Sequence, residues 1–288
     1  MTAEKGSQVS LEEQSGPPLT GGRLLPEADG PERIGIAVGG GHAELFCAIS
    51  PDKPEDNQDS TMLLELDAQT AVLAVADGAG GIQGGRRASR LALATVREAL
   101  LTADRENQQL RTIVLNAMEQ ANEAVIRNTR GAATTLTIVT VEGREARAFH
   151  VGDSLALITG QRSTIKLQTV AHSPVGFAIA AGFLTEEQAI YHPERHIVSN
   201  FVGTVDMIIE VGPTVKLAKF DTILVASDGL TDNLHLAEII ERMRRGPLDR
   251  SLEQLIELAT QRMLRPKPME PGKADDIAVI VYRKTAAS

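Results

Sequence analysis

Aspartates stand at the ends of short apolar runs in this sequence, and their placement constrains the fold more than any other feature. The runs share the length of one β-strand and a carboxylate at one end: residues 71–76 before Asp77, 149–152 before Asp153, 223–227 before Asp228, 277–281 after Asp275 and Asp276, and 62–64 shortly after Asp59. A strand that ends in aspartate delivers a carboxylate to the rim of a sheet. Five such strands predict a cluster of carboxylates.

Clustered carboxylates repel one another unless a cation lies between them. Sites made only of oxygen ligands, with part of the coordination shell left to water, suit Mg²⁺ or Mn²⁺. Gly78, directly after Asp77, would let its backbone carbonyl approach an ion. The single cysteine, Cys47, excludes an internal disulfide framework and a cysteine-based zinc cluster. A bound metal would therefore have oxygen ligands.

The chain has two parts in our interpretation. Residues 1–31 are rich in glycine and proline without a helix or strand period, which predicts a flexible arm. Residues 32–288 then form one domain, in which short strands alternate with turns and two helix-like segments cover residues 85–101 and 108–128. The closely spaced strands between residues 134 and 169 predict an antiparallel meander rather than βαβ units.

Composition narrows the functional classes. The chain has 288 residues, 42% of them apolar, which suffices for a sizeable core. Its net charge of −9 argues against a dedicated nucleic-acid binder, which usually has a basic face. Its longest apolar runs are far shorter than the ~20 residues of a membrane helix, and we find no secretory pattern at the N-terminus. We expect a cytoplasmic protein without nucleic-acid or membrane partners.

Five motifs occur in an order that identifies a resemblance. They are residues 76–81 (Ala-Asp-Gly-Ala-Gly-Gly), 131–135, 150–154 (His-Val-Gly-Asp-Ser), 226–232 (Ala-Ser-Asp-Gly-Leu-Thr-Asp) and 274–279 (Ala-Asp-Asp-Ile-Ala-Val). From about residue 44 to residue 282 the sequence resembles the metal-dependent protein phosphatases of the PP2C (PPM) family, bacterial branch. The resemblance implies an α+β fold: a four-layer αββα sandwich of two antiparallel sheets flanked by helices, with a metal centre at one edge.

The resemblance also implies a role for each aspartate. Asp77 would bridge two Mn²⁺ or Mg²⁺ ions, with the Gly78 carbonyl on one ion and Asp228 and Asp275 on the other. Asp59 would act through metal-bound water, and Asp153 would belong to a third, weaker ion site.

The reaction that the resemblance implies needs no protein nucleophile. A water activated by the two ions would attack the phosphorus of phosphoserine or phosphothreonine directly, with Asp59 and Asp77 as the catalytic carboxylates. The implied partners are phosphoproteins and a signalling Ser/Thr kinase that shares them, and we expect a monomer.

Three positions depart from the family pattern. Pro54 stands where many members have a phosphate-binding arginine. The neighbouring Lys53, which supplies charge without a bidentate fork, is our candidate for the substrate phosphate, and Arg86, Arg87 and Arg195 are the alternatives. Ala79 replaces the histidine that eukaryotic relatives have after Asp-Gly. Gln58 replaces a common glutamate and can donate a hydrogen bond but cannot take up a proton.

Two other functions compete with phosphatase activity: a dinucleotide or phosphate loop, and a binding module with little activity. The glycines at residues 78–85 do not give the G-x-G-x-x-G spacing of a dinucleotide site, and no Gly-Lys-Ser/Thr follows. A catalytically weak relative that binds a phosphoprotein or regulatory partner is the stronger alternative. Such chains typically lose metal-site aspartates, and this chain keeps Asp59, Asp77, Asp153, Asp228 and Asp275.

Overall fold

The structure, a computed structural model, describes residues 23–24, 32–51, 57–80, 82–189, 191–267 and 270–284. The strands are β1 (Arg23–Leu24), β2 (Glu32–Val38), β3 (Gly41–Ala48), β4 (Asp59–Asp67), β5 (Thr70–Ala79), β6 (Ala133–Thr134), β7 (Leu136–Glu142), β8 (Glu145–Val151), β9 (Leu155–Thr159), β10 (Ile165–Gln168), β11 (Glu210–Val211), β12 (Val215–Lys216), β13 (Thr222–Ala226) and β14 (Ile277–Lys284). The helices are α1 (Ile82–Thr102), α2 (Leu110–Asn128), α3 (Pro174–Ala180), α4 (Glu186–Ala189), α5 (Asp228–Thr231), α6 (Leu236–Met243) and α7 (Leu248–Leu264).

These strands form two antiparallel sheets. The first has the order β1-β4-β5-β7-β8-β11, with β6 also paired to β5 and β12 to β8. The second has the order β10-β9-β13-β14-β3-β2. The predicted meander is thus antiparallel, but it is divided: β7 and β8 lie in the first sheet, whereas β9 and β10 lie in the second. The chain changes sheets at Gly152, whose φ of +106° favours a residue without a side chain.

Apolar side chains of the described residues pack in three layers, and the strands between two layers are apolar on both faces. On β5, Val72 and Ala74 pack toward α1 and α2, while Leu73 and Val75 pack between the sheets. The third layer joins the second sheet to α5, α6 and α7. Successive side chains of a strand point to opposite faces. The uninterrupted apolar run at residues 71–76 therefore marks a strand covered on both sides, and the predicted αββα sandwich is confirmed.

Differences from the sequence prediction lie at the periphery. Strand β2 was not predicted, because it is an edge strand with polar and exposed positions such as Arg33. Residues 171–198 contain Pro174, Gly176, Gly182 and Pro193, which predicts an irregular stretch, but α3 and α4 form within it. The apolar residues between 207 and 211 predict a strand, of which the structure forms only β11. Within the predicted arm, Arg23–Leu24 pair with β4, and the rest of residues 1–31 lies outside the described residues.

None of the helices in the described ranges combines the length and the apolar character that crossing a bilayer requires.

Candidate metal centre

Two predicted site residues meet on the first sheet. Strand β4 begins at Asp59, and the antiparallel register places Asp59 directly opposite Asp77 on β5. Residues opposite each other in such a pair have Cβ atoms about 4.5–5.5 Å apart, so the two carboxylates start from neighbouring positions. The backbone N–H of Asp77 donates to Oγ1 of Thr135 at 3.0 Å, and its carbonyl accepts from the Thr135 N–H at 2.8 Å. These bonds fix the strand end from which the Asp77 side chain projects.

The second sheet supplies further carboxylates at the same rim. Strand β13 ends at Ala226, next to Val279 of β14 in the register, so Asp228 and Asp275 both lie just beyond this pair of strands. The negative charges of Asp59, Asp153, Asp228 and Asp275 all act on Asp77. The structure thus brings together the aspartates that the sequence singled out, and their roles as ligands stay a prediction.

Ser227 joins the two sheets at this rim. Its Oγ donates to Oδ2 of Asp59 on the first sheet at 2.5 Å. The same Oγ accepts from the N–H of Ala278 on the second sheet at 3.0 Å. A single hydroxyl therefore orients the Asp59 carboxylate relative to β14.

Asp276 ties the segments before and after residues 52–56 to the second sheet. Its two carboxylate oxygens accept from the backbone N–H groups of Ser50 and Gln58, at 2.8 and 2.9 Å. Gln58 in turn accepts from Oγ of Ser89 at 2.6 Å through its carbonyl. Asp276 is almost completely buried, and its hydrogen bonds give it a structural role.

Asp153 follows the Gly152 turn and has an unpaired oxygen. Its Oδ1 is buried and accepts no hydrogen bond from any described residue. A buried carboxylate oxygen without a donor is costly unless it is protonated or bound to a cation. Burial, followed by repulsion from Asp228 and Asp232, raises the pKa of Asp153 to about 7.

The other carboxylates respond to burial in the same way. Burial raises the pKa of Asp77 well above its ordinary value, and the charge of Asp59 raises it further. Burial also raises the pKa of Asp59, against the opposing hydrogen bond from Ser227. The pKa of Asp228 rises to about 6, chiefly through burial, although a nearby ammonium lowers it. Without a divalent cation, the rim holds its carboxylates in an electrostatically unfavourable state.

That ammonium belongs to Lys273, which sequence reasoning missed. Its Nζ lies 3.0 Å from Asp228, 3.1 Å from Asp232 and 2.7 Å from Asp275. Asp232 was missed as a site residue as well, although it follows Asp228 by four residues, a spacing that places both on one face of a helix. No comparable signal marks Lys273, because its contacts with Asp228 and Asp232 span more than forty residues.

Gly78 has a packing reason for being glycine. A Cβ at this position would lie 2.1 Å from the carbonyl oxygen of Gly85 near the start of α1. The two glycines let α1 approach the end of β5 closely. This packing explains the glycine at position 78 whether or not its carbonyl binds an ion.

Cys47 has no features of a nucleophile. It lies on β3, and burial together with the charge of Asp59 raises its pKa to about 12. Reactive cysteines have lowered pKa values, so the thiol form prevails at neutral pH.

The segment that contains α3 and α4 is anchored beside Asp153. Nδ1 of His172 accepts from the N–H of Gly152 at 3.1 Å and from the side-chain amide of Asn200 at 2.8 Å. The His172 carbonyl accepts from the N–H of Ser199 at 2.8 Å. His172 therefore joins both ends of the segment 172–200 to the turn that carries Asp153.

A cavity of about 460 Å³ lies between this segment and α6. Its walls include carboxylates of the rim at one end, apolar side chains and one arginine: Asp153, Asp228, Val175, Ile179, Ile239 and Arg195. Lys53, the predicted phosphate ligand, lies outside the described residues, as does Pro54.

Comparison with known proteins identifies the family. The model of the family described as protein phosphatase 2C matches residues 52–267. The chain belongs to the protein phosphatase 2C family. The fold and the bacterial branch agree with its relatives: protein phosphatase PhpP of Streptococcus pneumoniae is 30% identical over 194 residues, 65% of this chain and 78% of that protein.

Solved structures of phosphatase 2C relatives have the same fold. The serine/threonine phosphatase of S. agalactiae superimposes with a TM-score of 0.72 and 28% identity, over 84% of this chain and 99% of that one. The catalytic domain of the serine/threonine phosphatase PstP, solved with two manganese ions, gives a TM-score of 0.66 at 22% identity, over 84% and 96% of the two chains. Phosphatase 2C enzymes need divalent metals, and this chain is accordingly a metal-dependent protein phosphatase.

Proposed function

We propose that this chain hydrolyses phosphoserine and phosphothreonine in proteins at a binuclear metal centre on the shared rim of its two sheets. The observation that carries the proposal is the placement of carboxylates from both sheets around Asp77, most of them half-buried and Asp59 buried. Burial and mutual repulsion disfavour the ionised form of these carboxylates. Bound divalent cations would stabilise that form.

The unpaired Oδ1 of Asp153 supports the fit of cations to this rim. The donor set is made of carboxylate oxygens and backbone carbonyls, which are the ligands that Mg²⁺ and Mn²⁺ prefer. In the proposed arrangement, Asp77 would hold both ions, the Gly78 carbonyl one of them, and Asp228 and Asp275 the other, while Asp59 would orient water. Asp153 would contribute to a third site.

Divalent ions bound here would supply charge for the phosphoryl oxygens and lower the pKa of a water molecule. Neighbouring residues of the chain would position the ligand carboxylates. Ser227 holds the Asp59 carboxylate, and Thr135 holds the strand end at Asp77. Hydrolysis forms a P–O bond to water and breaks the P–O bond to the seryl oxygen, which takes up a proton. Cys47 has no part in the reaction.

A binding module without activity is the second candidate. The retention of the predicted ligand aspartates at one rim favours the enzyme. The partner kinase, the monomeric state, the cytoplasmic location and the choice between Mn²⁺ and Mg²⁺ remain predictions.

The test is an assay of a phosphoserine peptide with Mn²⁺, with Mg²⁺ and with EDTA, before and after thiol alkylation. We expect turnover that requires an added metal and survives alkylation, because the raised pKa of Cys47 keeps it unreactive. Turnover in EDTA at the rate measured with Mn²⁺ would exclude the proposed centre.

A further inference from the structure

The ammonium of Lys273 lies among carboxylates, at a position where a bound cation would be expected. Its Nζ is within 3.1 Å of Asp228, Asp232 and Asp275, and its side chain is largely buried among them. Two of these carboxylates, Asp228 and Asp275, are the proposed ligands of one metal ion.

The backbone of Lys273 is held in place from both sides. Its N–H donates to Oδ1 of Asn233 at 2.9 Å, and its carbonyl accepts from Nδ2 of the same side chain at 2.8 Å. Asn233 is fully buried, and its own carbonyl accepts from Arg262 at 2.8 Å. The position of the ammonium is therefore set by a rigid anchor and not by a free surface loop.

We propose that Lys273 is a tethered cation that partly compensates the negative charges of Asp228, Asp232 and Asp275 in the metal-free protein and withdraws from Asp228 and Asp275 when a divalent ion binds there. The inference rests on the proposed metal centre. An ion coordinated by Asp228 and Asp275 needs their oxygens at about 2.0–2.2 Å, and the ammonium within 3.0 Å of both oxygens competes for the same space.

Asp232 gives the ammonium a place to withdraw to. It contacts Nζ at 3.1 Å and is not one of the proposed ligands. The flexible four-carbon stem of lysine allows this displacement while the backbone stays anchored at Asn233. Lys273 thus has two consequences: it stabilises the metal-free fold, and it weakens binding of the ion that Asp228 and Asp275 hold.

The test compares the wild type with Lys273→Met, which removes the charge and keeps most of the volume. Lys219→Met, at an exposed lysine away from the rim, is the matched control. In EDTA we expect the unfolding midpoint of Lys273→Met to fall by roughly 5 °C, because three carboxylates lose their counter-ion. Calorimetric titration should give Mn²⁺ binding about tenfold tighter in Lys273→Met, with Lys219→Met equal to the wild type in both measurements.

A second measurement uses the wild-type protein, in case Lys273→Met does not fold. Amine labelling followed by peptide mass spectrometry should find Lys273 several-fold more reactive with Mn²⁺ than with EDTA, and Lys219 unchanged. Equal Mn²⁺ affinity in both proteins, or equal labelling of Lys273 in both conditions, would overturn the inference and leave the metal centre intact. Mn²⁺ binding to neither protein would overturn both.

Discussion

The two sheets present their carboxylates to the shared rim in different electrostatic states. On the first sheet, Asp59 and Asp77 face each other, and among the described residues no lysine or arginine forms an ion pair with either. On the second sheet, Asp228 and Asp275 surround the ammonium of Lys273 together with Asp232. Among the residues that the structure describes, a basic side chain is therefore ion-paired with the carboxylates of the second sheet and not with Asp59 or Asp77.

This difference predicts that the two halves of the rim differ in how much they need a bound metal to be stable. The half around Lys273 can fold with its negative charge partly compensated, since the ammonium supplies some of the attraction that a divalent ion would provide. The half at Asp59 and Asp77 depends on protons or on a bound metal, because burial and repulsion oppose ionisation of both carboxylates. The free energy gained on binding a metal should therefore be largest at Asp77.

Asp77→Asn should be the most damaging single change to activity. Losing a partner of a metal ligand commonly costs 10–100-fold, and losing the proposed bridge should lower kcat/KM with Mn²⁺ by more than about 100-fold. The midpoint of unfolding in EDTA should rise in the same variant, because a repelled buried carboxylate is removed. Asp206→Asn, an exposed site, is the control. Near-full activity and Mn²⁺ binding in Asp77→Asn would contradict the assignment of the bridge.

The metal-free protein should lose stability as pH rises. The pKa values of Asp153 and Asp228 are about 7 and about 6 in the fold, against an ordinary 3.8. Between pH 4 and 7 the folded state therefore binds more protons than the unfolded chain, and the free energy of unfolding falls with rising pH. The contribution is complete below pH 4 and lost above pH 7.

Thermal unfolding in EDTA at several pH values measures this slope. Mn²⁺ should reverse it, because ionised carboxylates bind the metal better at higher pH. Asp153→Asn should flatten the upper part of the curve. A midpoint in EDTA that does not change between pH 4.5 and 7.5 would show that the carboxylates are not held protonated.

Ser227→Ala tests the link between the two halves. Its hydroxyl is hydrogen-bonded to Asp59 on one sheet and to Ala278 on the other, so its removal should cost about 1–2 kcal/mol of stability. Activity with Mn²⁺ should fall about tenfold, since Asp59 loses the donor that orients it. Ser251→Ala, a buried serine in α7 that is hydrogen-bonded to backbone, is the matched control. Equal activity losses in both variants would mean that Ser227 acts on stability alone.

The sequence predicted this rim because its aspartates adjoin apolar runs. This pattern is local in the sequence, and in the structure it corresponds to the ends of strands. The strand ends at Asp77 and Asp228 lie where the apolar runs stop, and burial on both faces explains why those runs are uninterrupted. Edge strand β2 escaped prediction because a strand with an exposed face carries a mixed composition.

Lys273 and Ser227 could not be assigned from the sequence for a different reason. Their contacts join residues that are 45 and 168 positions apart, and such pairs depend on how the two sheets pack. Only the spacing of Asp228 and Asp232 offered a local signal, because four residues span one helical turn.

The smallest expected effect concerns which half of the rim holds the substrate phosphate. Lys53 precedes Asp59 in the sequence, whereas Arg195 lines the cavity beside Asp153 and Asp228. A single ammonium supplies charge but little orientation, so Lys53→Ala should raise KM for a small aryl phosphate by about threefold with little change in kcat. Arg195→Ala should then change KM less than twofold. An unchanged KM in Lys53→Ala, with a raised KM in Arg195→Ala, would move the phosphate anchor to the half that contains Lys273.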